Sequence, residues 1–346
     1  MVQEAESSAR FPPSWADALT RFIERLPGPA WVTYTTLFLV LLLVTNATGW
    51  LDGSLPIGSF DLYLSSLAVY PVVALAAIYY LDAKAVAALE TMRPALAVDD
   101  HDFELLRYEL ATMPARPTIV WSLVGLAFAL GYIAFGQAGP VAGGGLPVLL
   151  LDGLMALIGF PLLAVLFFHT LRQLRLISRI QSQMVWIDVF QLEPLLALSG
   201  VTARNGIIIV GLAYVSAATD PSTFALTNPT LLAFVVISIL IAIAAFILPL
   251  NGIHQRIAEE KERLTVGANR DLQSVLAEIS RRARAVDLTD ADALNKQLSS
   301  LVIQRDVIAR IPTWPWEAAT LRAFVTAVLL PIALWFVFRA LDRLIV

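Results

Sequence analysis

The chain has 346 residues, of which 58% are hydrophobic and 15% are charged, and its formal net charge is −4. Soluble domains are about 45–50% apolar and about 25% charged, so this composition indicates a chain embedded in a lipid bilayer. The small net charge argues against a nucleic-acid partner. The absence of cysteine excludes disulfides, thiolate metal sites and cysteine nucleophiles.

The N-terminal segment 1–30 is polar and acidic, and it has no short apolar core of the kind found in a secretory signal. Residues 14–26 predict an amphipathic helix instead. Ser14 and Asp17 have the spacing of a capping box, in which each side chain bonds the free backbone N–H of the other. We expect this cytoplasmic helix either to lie in the membrane interface or to pack on the rest of the protein.

Seven apolar runs follow, and lipid favours helices because they satisfy their own backbone groups. The fifth run reaches spanning length if its helix begins near Leu195, and Pro331 predicts a kink in the seventh. The predicted fold is all-α: a polytopic membrane helical bundle of about seven spans with a cytoplasmic helical hairpin. The runs are 31–50, 60–81, 118–137, 146–171, 206–219, 229–250 and 318–338.

Connections that contain lysine and arginine alternate along the chain with connections that contain neither. By the positive-inside rule, this alternation sets the orientation in the membrane. The N-terminus is then cytoplasmic and, with seven spans, the C-terminus is outside, in a bacterial-type inner membrane. Arg339 and Arg343 would lie outside, and a re-entrant last helix is the alternative to a full crossing. The basic segments are 1–30, 82–117, 172–205 and 251–311, whereas connections near 50–60, 138–145 and 219–228 carry no lysine or arginine.

The predicted domains are the N-terminal helix, a bundle of six spans over 31–250 with helical connections, the hairpin 251–311 and the last span. In the hairpin, Gly267 and Asn269 predict a break, and a capping box of Thr289 and Asp292 predicts the start of the second helix. An apolar stripe is expected to be buried in the hairpin, on the fourth helix or on another subunit. Its members are Leu272, Leu276, Ile279, Leu294, Leu298 and Leu301.

The segment 312–346 opens with Pro312, Thr313, Trp314, Pro315 and Trp316. Pro312 is expected to end the hairpin, Thr313 to cap the next helix, and Pro315 to lie in its first turn. The two tryptophan rings suit the headgroup level of a membrane. The pattern predicts an interfacial hinge that sets the angle between the hairpin and the last span, with plain anchoring as the alternative.

Motifs for catalysis, nucleotide binding or metal binding are absent from the sequence, so we expect no enzyme, cofactor or metal site. His101, His169 and His254 are far apart in the chain. His169 and His254 fall at the cytoplasmic ends of the fourth and sixth spans, where they could be neighbours. We expect both to be partly solvated residues of the interface.

Four acidic residues lie on the predicted outer side: Asp52, Asp61, Asp152 and Asp220. They form either a rim that concentrates cations at a pore mouth or simply the charge that remains when basic residues are held inside. The sequence predicts a non-enzymatic, stimulus-sensing or ion-conducting oligomer, with the lipid bilayer and further copies of the chain as partners. A scaffold or assembly factor that docks a soluble partner is the alternative. A transporter is weaker, because ionisable residues are rare inside the predicted spans.

Seven spans, a cytoplasmic N-terminus and cytosolic extensions of spans four and six resemble the architecture of insect chemoreceptor-type channels. The resemblance implies that the cytosolic extensions anchor subunits to one another. The tyrosine-bearing pattern of that family's last helix is missing, since no tyrosine follows Tyr214. The likeness is one of architecture alone.

Overall fold

The computed structural model describes residues 11–96, 98–135, 144–182, 189–190, 193–219, 229–285 and 289–345. Within these ranges the regular structure is helical, which confirms the all-α prediction. The helices are α1 (Trp15–Glu24), α2 (Ala30–Asp52), α3 (Leu62–Met92), α4 (Asp100–Ala111), α5 (Ala115–Ala134), α6 (Leu146–Ser182), α7 (Glu193–Ala218), α8 (Pro229–Ile247), α9 (Asn251–Ala285), α10 (Ala291–Ala309) and α11 (Ala318–Ile345).

Six helical segments are long and apolar enough to cross a membrane, so the chain is a membrane-embedded helical bundle. The predicted seventh span falls on α11, where the described apolar stretch, Ala318–Ala333, is shorter. The seventh crossing therefore stays a prediction, and the side chains of Arg339 and Arg343 lie outside the described part. The six segments are Ala30–Asp52, Leu62–Ala95, Ala115–Ala134, Leu146–Gln181, Leu196–Ala218 and Val235–Ala285.

Helix α3 is the centre of the bundle and packs against α2, α6 and α7. Helix α6 pairs with α5, and α7 packs against α8 and α11. The α5–α6 contact is close because Gly125 has no side chain: a Cβ there would lie 2.5 Å from the carbonyl oxygen of Phe160. Small residues allow such close approach between membrane helices. Large apolar side chains such as Leu43 on α2 and Phe128 on α5 point outward, as expected for lipid-facing helices.

The N-terminal helix α1 begins as predicted. The Ser14 side chain accepts from the Asp17 N–H, and the Asp17 carboxylate accepts from the Ser14 N–H, so the capping box is confirmed. Buried Ala16 and Ile23 join a core cluster with residues of α3 and α6. The helix thus packs on the bundle, while Phe22 stays exposed.

Two predictions about helix boundaries are wrong. Helix α9 runs unbroken through Gly267 and Asn269, because one interior glycine costs only about 1 kcal/mol and long flanking helices outweigh it. The second capping box is also not formed. The N-cap residue of α10 is Asp290, which has a positive φ of 64° and makes no capping hydrogen bond.

Helices α9 and α10 pack against each other as a hairpin. The stripe expected to be buried is only partly so: Leu276 is 44% exposed, whereas its neighbour Val275 is 5% exposed. The other five members of the predicted stripe are half-buried. The hairpin therefore presents part of its apolar surface outward, and its cytoplasmic location stays a prediction.

Candidate functional site

A cavity of about 470 Å³ lies among α3, α6 and α7, with α5 and α8 at its edge. Asp152 and Thr170 mark its two ends along α6, and they are about 27 Å apart at about 1.5 Å per helical residue. That length is close to the hydrocarbon thickness of a bilayer, about 30 Å. Most of the wall is apolar. Its polar side chains are Tyr63, Ser66, Tyr70, Tyr132, Asp152, Thr170, Ser216, Thr219 and Ser238.

Asp152 is fully buried at one end of the cavity, and two tyrosines hold it there. The Tyr63 hydroxyl donates to Asp152 Oδ1 at 2.7 Å, and the Tyr132 hydroxyl donates to Oδ2 at 3.3 Å. The two hydroxyl oxygens lie 2.6 Å apart. Since the three residues come from α3, α5 and α6, this cluster ties three helices together around one carboxylate.

Aromatic rings surround the same end of the cavity. Tyr132 lies 5.6 Å from Phe160, centroid to centroid. Tyr70 also lines the wall, and its hydroxyl is 2.9 Å from Ser216 Oγ on α7. Asp152 is the only charged side chain that lines the cavity in the part of the chain described. Aromatic faces next to one carboxylate form a site that suits an organic cation.

A second polar group lies beyond the Thr170 end of the cavity. His169 directly precedes Thr170, and its Nε2 atom is 3.3 Å from Asp82 Oδ1 on α3. The Gln173 amide donates to the Leu81 carbonyl at 3.4 Å, and the Asn205 amide on α7 donates to Gln173 Oε1 at 3.0 Å.

The prediction that His169 is partly solvated is wrong, since only 1% of it is exposed. The predicted membrane spans end at residues 81 and 171, and α3 and α6 continue past those ends to Met92 and Ser182, in agreement with the predicted helical connections. The packing of these longer helices encloses the histidine. His254 lies elsewhere, against the ring of Trp314.

The four acids of the predicted outer rim have different environments. Asp52 accepts a hydrogen bond from the Gly145 N–H at 2.6 Å, and Asp61 caps α3 by accepting from the Leu64 N–H at 2.9 Å. Asp152 is buried in the cavity wall, and Asp220 lies outside the described residues. The rim stays a prediction, and Asp152 has no exposed surface to contribute to it.

The segment Pro312–Trp316 is built around stacked rings. Trp314 stacks on His254 at 3.9 Å and on Trp316 at 4.5 Å, and Trp316 stacks on Phe246 at 5.4 Å. The Thr313 carbonyl lies 2.9 Å from His254 Nδ1. These contacts fasten the connection between α10 and α11 to the junction of α8 and α9.

The boundaries of this segment differ in part from those predicted. Helix α10 ends at Ala309, shortly before Pro312, which is exposed. Helix α11 begins only at Ala318, so Thr313 does not cap it and Pro315 does not lie in its first turn. Pro315 is buried in the connection instead. The hinge role of the segment stays a prediction.

Comparisons with protein-family models, with curated proteins and with solved structures find no match to this chain. Among the described residues, no group of three or more histidine, aspartate or glutamate side chains is arranged to hold a metal ion.

Sequence reasoning missed Tyr63, Tyr132 and Asp82 as members of sites. Each lies near the end of an apolar run, where a polar residue is common. The face that each presents to another helix depends on helix–helix packing. The spacing of Tyr63 and Tyr70, two turns apart on α3, is the one feature that indicated a shared polar face.

Proposed function

We propose that the protein is a stimulus-sensing multi-pass membrane protein whose stimulus is a small amphipathic organic cation. The observation that carries the proposal is the cavity with one buried carboxylate, Asp152, among tyrosine rings at one end. The cationic group of the ligand binds against Tyr63 and Tyr132, whose hydroxyls contact the buried Asp152, so that the aromatic faces and the nearby negative charge both attract it. Its apolar part lies along Met155, Leu163 and Ile208, as in most small-molecule sites.

Helix α7 connects the cavity with the rest of the bundle. Leu212 and Ser216 line the cavity, whereas Tyr214 faces α11 and its hydroxyl donates to the Val328 carbonyl at 2.7 Å. A ligand that moves α7 also moves α11, and through the Pro312–Trp316 segment it reaches the α9–α10 hairpin. This route supports a channel-like oligomer, in which copies assemble through their cytoplasmic helices.

The proposal places the protein in a bacterial-type inner membrane with its N-terminus and the α9–α10 hairpin in the cytoplasm. The alternation of basic and non-basic connections supports this orientation. A Ser54→Cys variant is then labelled by a membrane-impermeant thiol reagent added outside, and a Ser280→Cys variant is not. Reversed labelling contradicts the orientation.

Two other functions each have one supporting observation. The exposed apolar side chains of the hairpin, such as Leu276 and Ile303, favour a scaffold that docks a soluble partner. The length of the cavity along α6 favours a transporter. The mass of the protein in mild detergent separates the oligomeric channel from a monomeric scaffold. Uptake of a labelled alkylamine into proteoliposomes that contain the protein identifies a transporter.

The test of cation binding uses a long-chain alkylamine that carries a photoreactive diazirine. We expect the amine to label peptides of α3, α6 and α7. Gly159→Leu fills the cavity, since a Cβ at Gly159 has its nearest contact 3.9 Å away, and it reduces the labelling. Gly211→Leu is the matched control, because Gly211 is exposed on α7 with nothing within 4 Å of an added Cβ.

An Asp152→Asn variant separates charge from shape. We expect it to lose labelling by the amine while it keeps labelling by the corresponding diazirine alcohol, which has no positive charge. Equal labelling by the amine in the wild type, Gly159→Leu and Asp152→Asn contradicts the proposal.

A further inference from the structure

The buried polar group beyond the Thr170 end of the cavity contains more hydrogen-bonding atoms than it satisfies. We name it the inner polar cluster. Its members are Asp82, His169, Gln173 and Asn205, joined by the contacts above, and Arg172, whose charge acts on both Asp82 and His169; they come from α3, α6 and α7. Five of its buried atoms have no hydrogen-bond partner among the described residues: Asp82 Oδ1, both ring nitrogens of His169, Arg172 Nη1 and Asn205 Oδ1.

These five atoms define the chemistry of what they bind. Each buried polar atom without a partner costs about 1–3 kcal/mol. Asp82 Oδ1 and Asn205 Oδ1 accept hydrogen bonds, whereas Arg172 Nη1 donates. The partner must therefore both donate and accept, as water does. A metal ion cannot accept from the guanidinium, and that positive charge repels it.

Asp82 and His169 are close enough to share a proton. The 3.3 Å between Asp82 Oδ1 and His169 Nε2 is not a direct hydrogen bond, but one water that bonds both atoms allows the transfer. We propose that this pair is a proton-binding site, which takes one proton from water at the cytoplasmic side. The site does not depend on the ligand of the cavity.

The proton balance of the pair is simple. Without the added proton, Asp82 is a carboxylate and His169 a neutral imidazole, so the pair has a charge of −1. With it, the pair is either a carboxylic acid beside imidazole or a carboxylate beside imidazolium, and its charge is zero. Water loses the proton, and no other bond changes. Both forms give the pair one donor and one acceptor, which a single water can join.

The surroundings compensate the charge of both forms. Arg172 balances the carboxylate when the pair is unloaded. When the pair is loaded, carboxylates of neighbouring helices balance Arg172. The charged and titratable groups near the pair are Arg172 on α6, Asp17 and Glu24 on α1, Tyr34 on α2 and Glu109 on α4, and α7 contributes the uncharged Asn205.

The N-terminal segment covers the cluster from the predicted cytoplasmic side. The guanidinium of Arg172 lies over the ring of Phe11, 5.2 Å from its centroid. The Phe11 carbonyl accepts from the Tyr108 hydroxyl at 2.7 Å, and the Pro12 carbonyl accepts from the Ala115 N–H at 3.1 Å. Protons therefore reach the pair past an ordered segment of the chain.

The test is nitrogen-15 NMR of histidine-labelled, full-length protein in lipid nanodiscs. The chain has three histidines, so His101→Asn and His254→Asn variants assign the His169 resonances. We expect these resonances to move between about pH 5 and about pH 8. The ring changes its hydrogen-bonding role whichever atom of the pair carries the proton.

The Asp82→Asn variant tests the pair itself. We expect the midpoint of the His169 transition to fall by about one pH unit or more, because the charge that attracts the proton is gone. Asp82→Glu, which keeps a carboxylate, moves the midpoint back toward the wild-type value. Glu90→Gln is the matched control, since Glu90 lies on the same helix but is exposed, and it leaves the midpoint unchanged.

Two outcomes overturn the proposal. If the His169 resonances of the wild type do not move over this range, the pair binds no exchangeable proton, whatever the variants do. If they move and the midpoint is the same in Asp82→Asn, His169 titrates alone.

Discussion

Asp17 holds the N-terminal helix α1 to the bundle, and its removal is the sharpest test of that contact. The carboxylate is 5% exposed. Its Oδ2 atom accepts from the Ser14 N–H and the Ser14 hydroxyl, both at 2.8 Å, and from the Met113 N–H at 3.0 Å. The last bond crosses from α1 to the connection between α4 and α5. An Asp17→Ala variant leaves two buried main-chain donors without an acceptor.

The expected cost follows from those two donors. Each unsatisfied buried donor costs about 1–3 kcal/mol, so Asp17→Ala weakens the docking of α1 by about 2–6 kcal/mol. Since about 1.4 kcal/mol is a factor of ten, the Met113 amide should exchange its hydrogen at least about 30-fold faster. The Asp17→Asn variant keeps one acceptor oxygen, so it should weaken the docking of α1 by less than Asp17→Ala does.

Hydrogen–deuterium exchange followed by mass spectrometry on the full-length protein in nanodiscs measures this opening. We expect faster exchange in α1 and at Met113, with the interior of α3 unchanged. Glu24→Ala is the matched control, because Glu24 is an exposed acid of the same helix and should stay within about 0.5 kcal/mol of the wild type. Unchanged exchange at Met113 in Asp17→Ala would refute the reasoning.

The same contact depends on pH in a defined direction. Burial raises the pKa of Asp17 above its ordinary value of 3.8, against the opposing effect of its hydrogen bonds. The docked state therefore binds the proton more tightly than the undocked state. The part of the docking free energy that is linked to this proton is complete below about pH 3.8 and is lost as the pH rises through the raised pKa of Asp17, while the hydrogen bonds to the carboxylate remain. Asp17→Asn should show no such dependence.

Three further predictions concern packing. Gly125→Ala inserts a Cβ into the α5–α6 contact and should cost at least about 1 kcal/mol, whereas Gly131→Ala, which meets nothing within 4 Å, should be harmless in thermal unfolding. Val275→Asp places a charge in the hairpin and should remove the protease resistance of α9 and α10, whereas Leu276→Asp should not. Trp314→Ala removes two stacked contacts worth about 1–3 kcal/mol together and should broaden the distance between spin labels on α10 and α11.

The parts of the fold that depend only on residues close together in the sequence could be predicted. The capping box of Ser14 and Asp17 is contained in four consecutive residues. Whether an apolar run can cross a bilayer likewise follows from the length of that run alone. Helix α7 begins at Glu193, close to the predicted start near Leu195. Local constraints of this kind need no knowledge of the other helices.

The predictions that failed depend on which other segment of the chain faces a given residue. Leu276 and Val275 are neighbours in the same apolar stretch, and only the direction from which α10 approaches decides which one is buried. Thr289 had the sequence of a cap, but the turn into α10 passes through Asp290 with a positive φ. Which of two adjacent residues is buried, or caps the helix, depends on a contact with another part of the chain, and the periodicity of the sequence does not reveal that contact.

The cavity could not be predicted for the same reason. Tyr63 and Asp152 hydrogen-bond although 89 positions of chain separate them, and the rotation of α3 against α6 sets that contact. The pattern along each helix shows which residues share a face, and it does not show which faces meet. His169 is predicted at the interface because it lies near the end of its span at residue 171, and the pattern along α6 does not show that α3 packs beside the ring, with Asp82 3.3 Å from it.

The two ends of the cavity differ in charge, and this difference argues for the proposed function over a scaffold. Asp152 faces a wall that has no other charged side chain among the described residues, whereas Asp82 has Arg172 nearby. A carboxylate in the wall of a mostly apolar cavity gives that end of the cavity a negative potential, which attracts a cation and for which a scaffold has no use. A cationic ligand would bring positive charge to the Asp152 end of α6, as Arg172 brings it to the Asp82 end. The same helix then carries a site for an organic cation and a site for a proton, which gives the bundle two separate inputs.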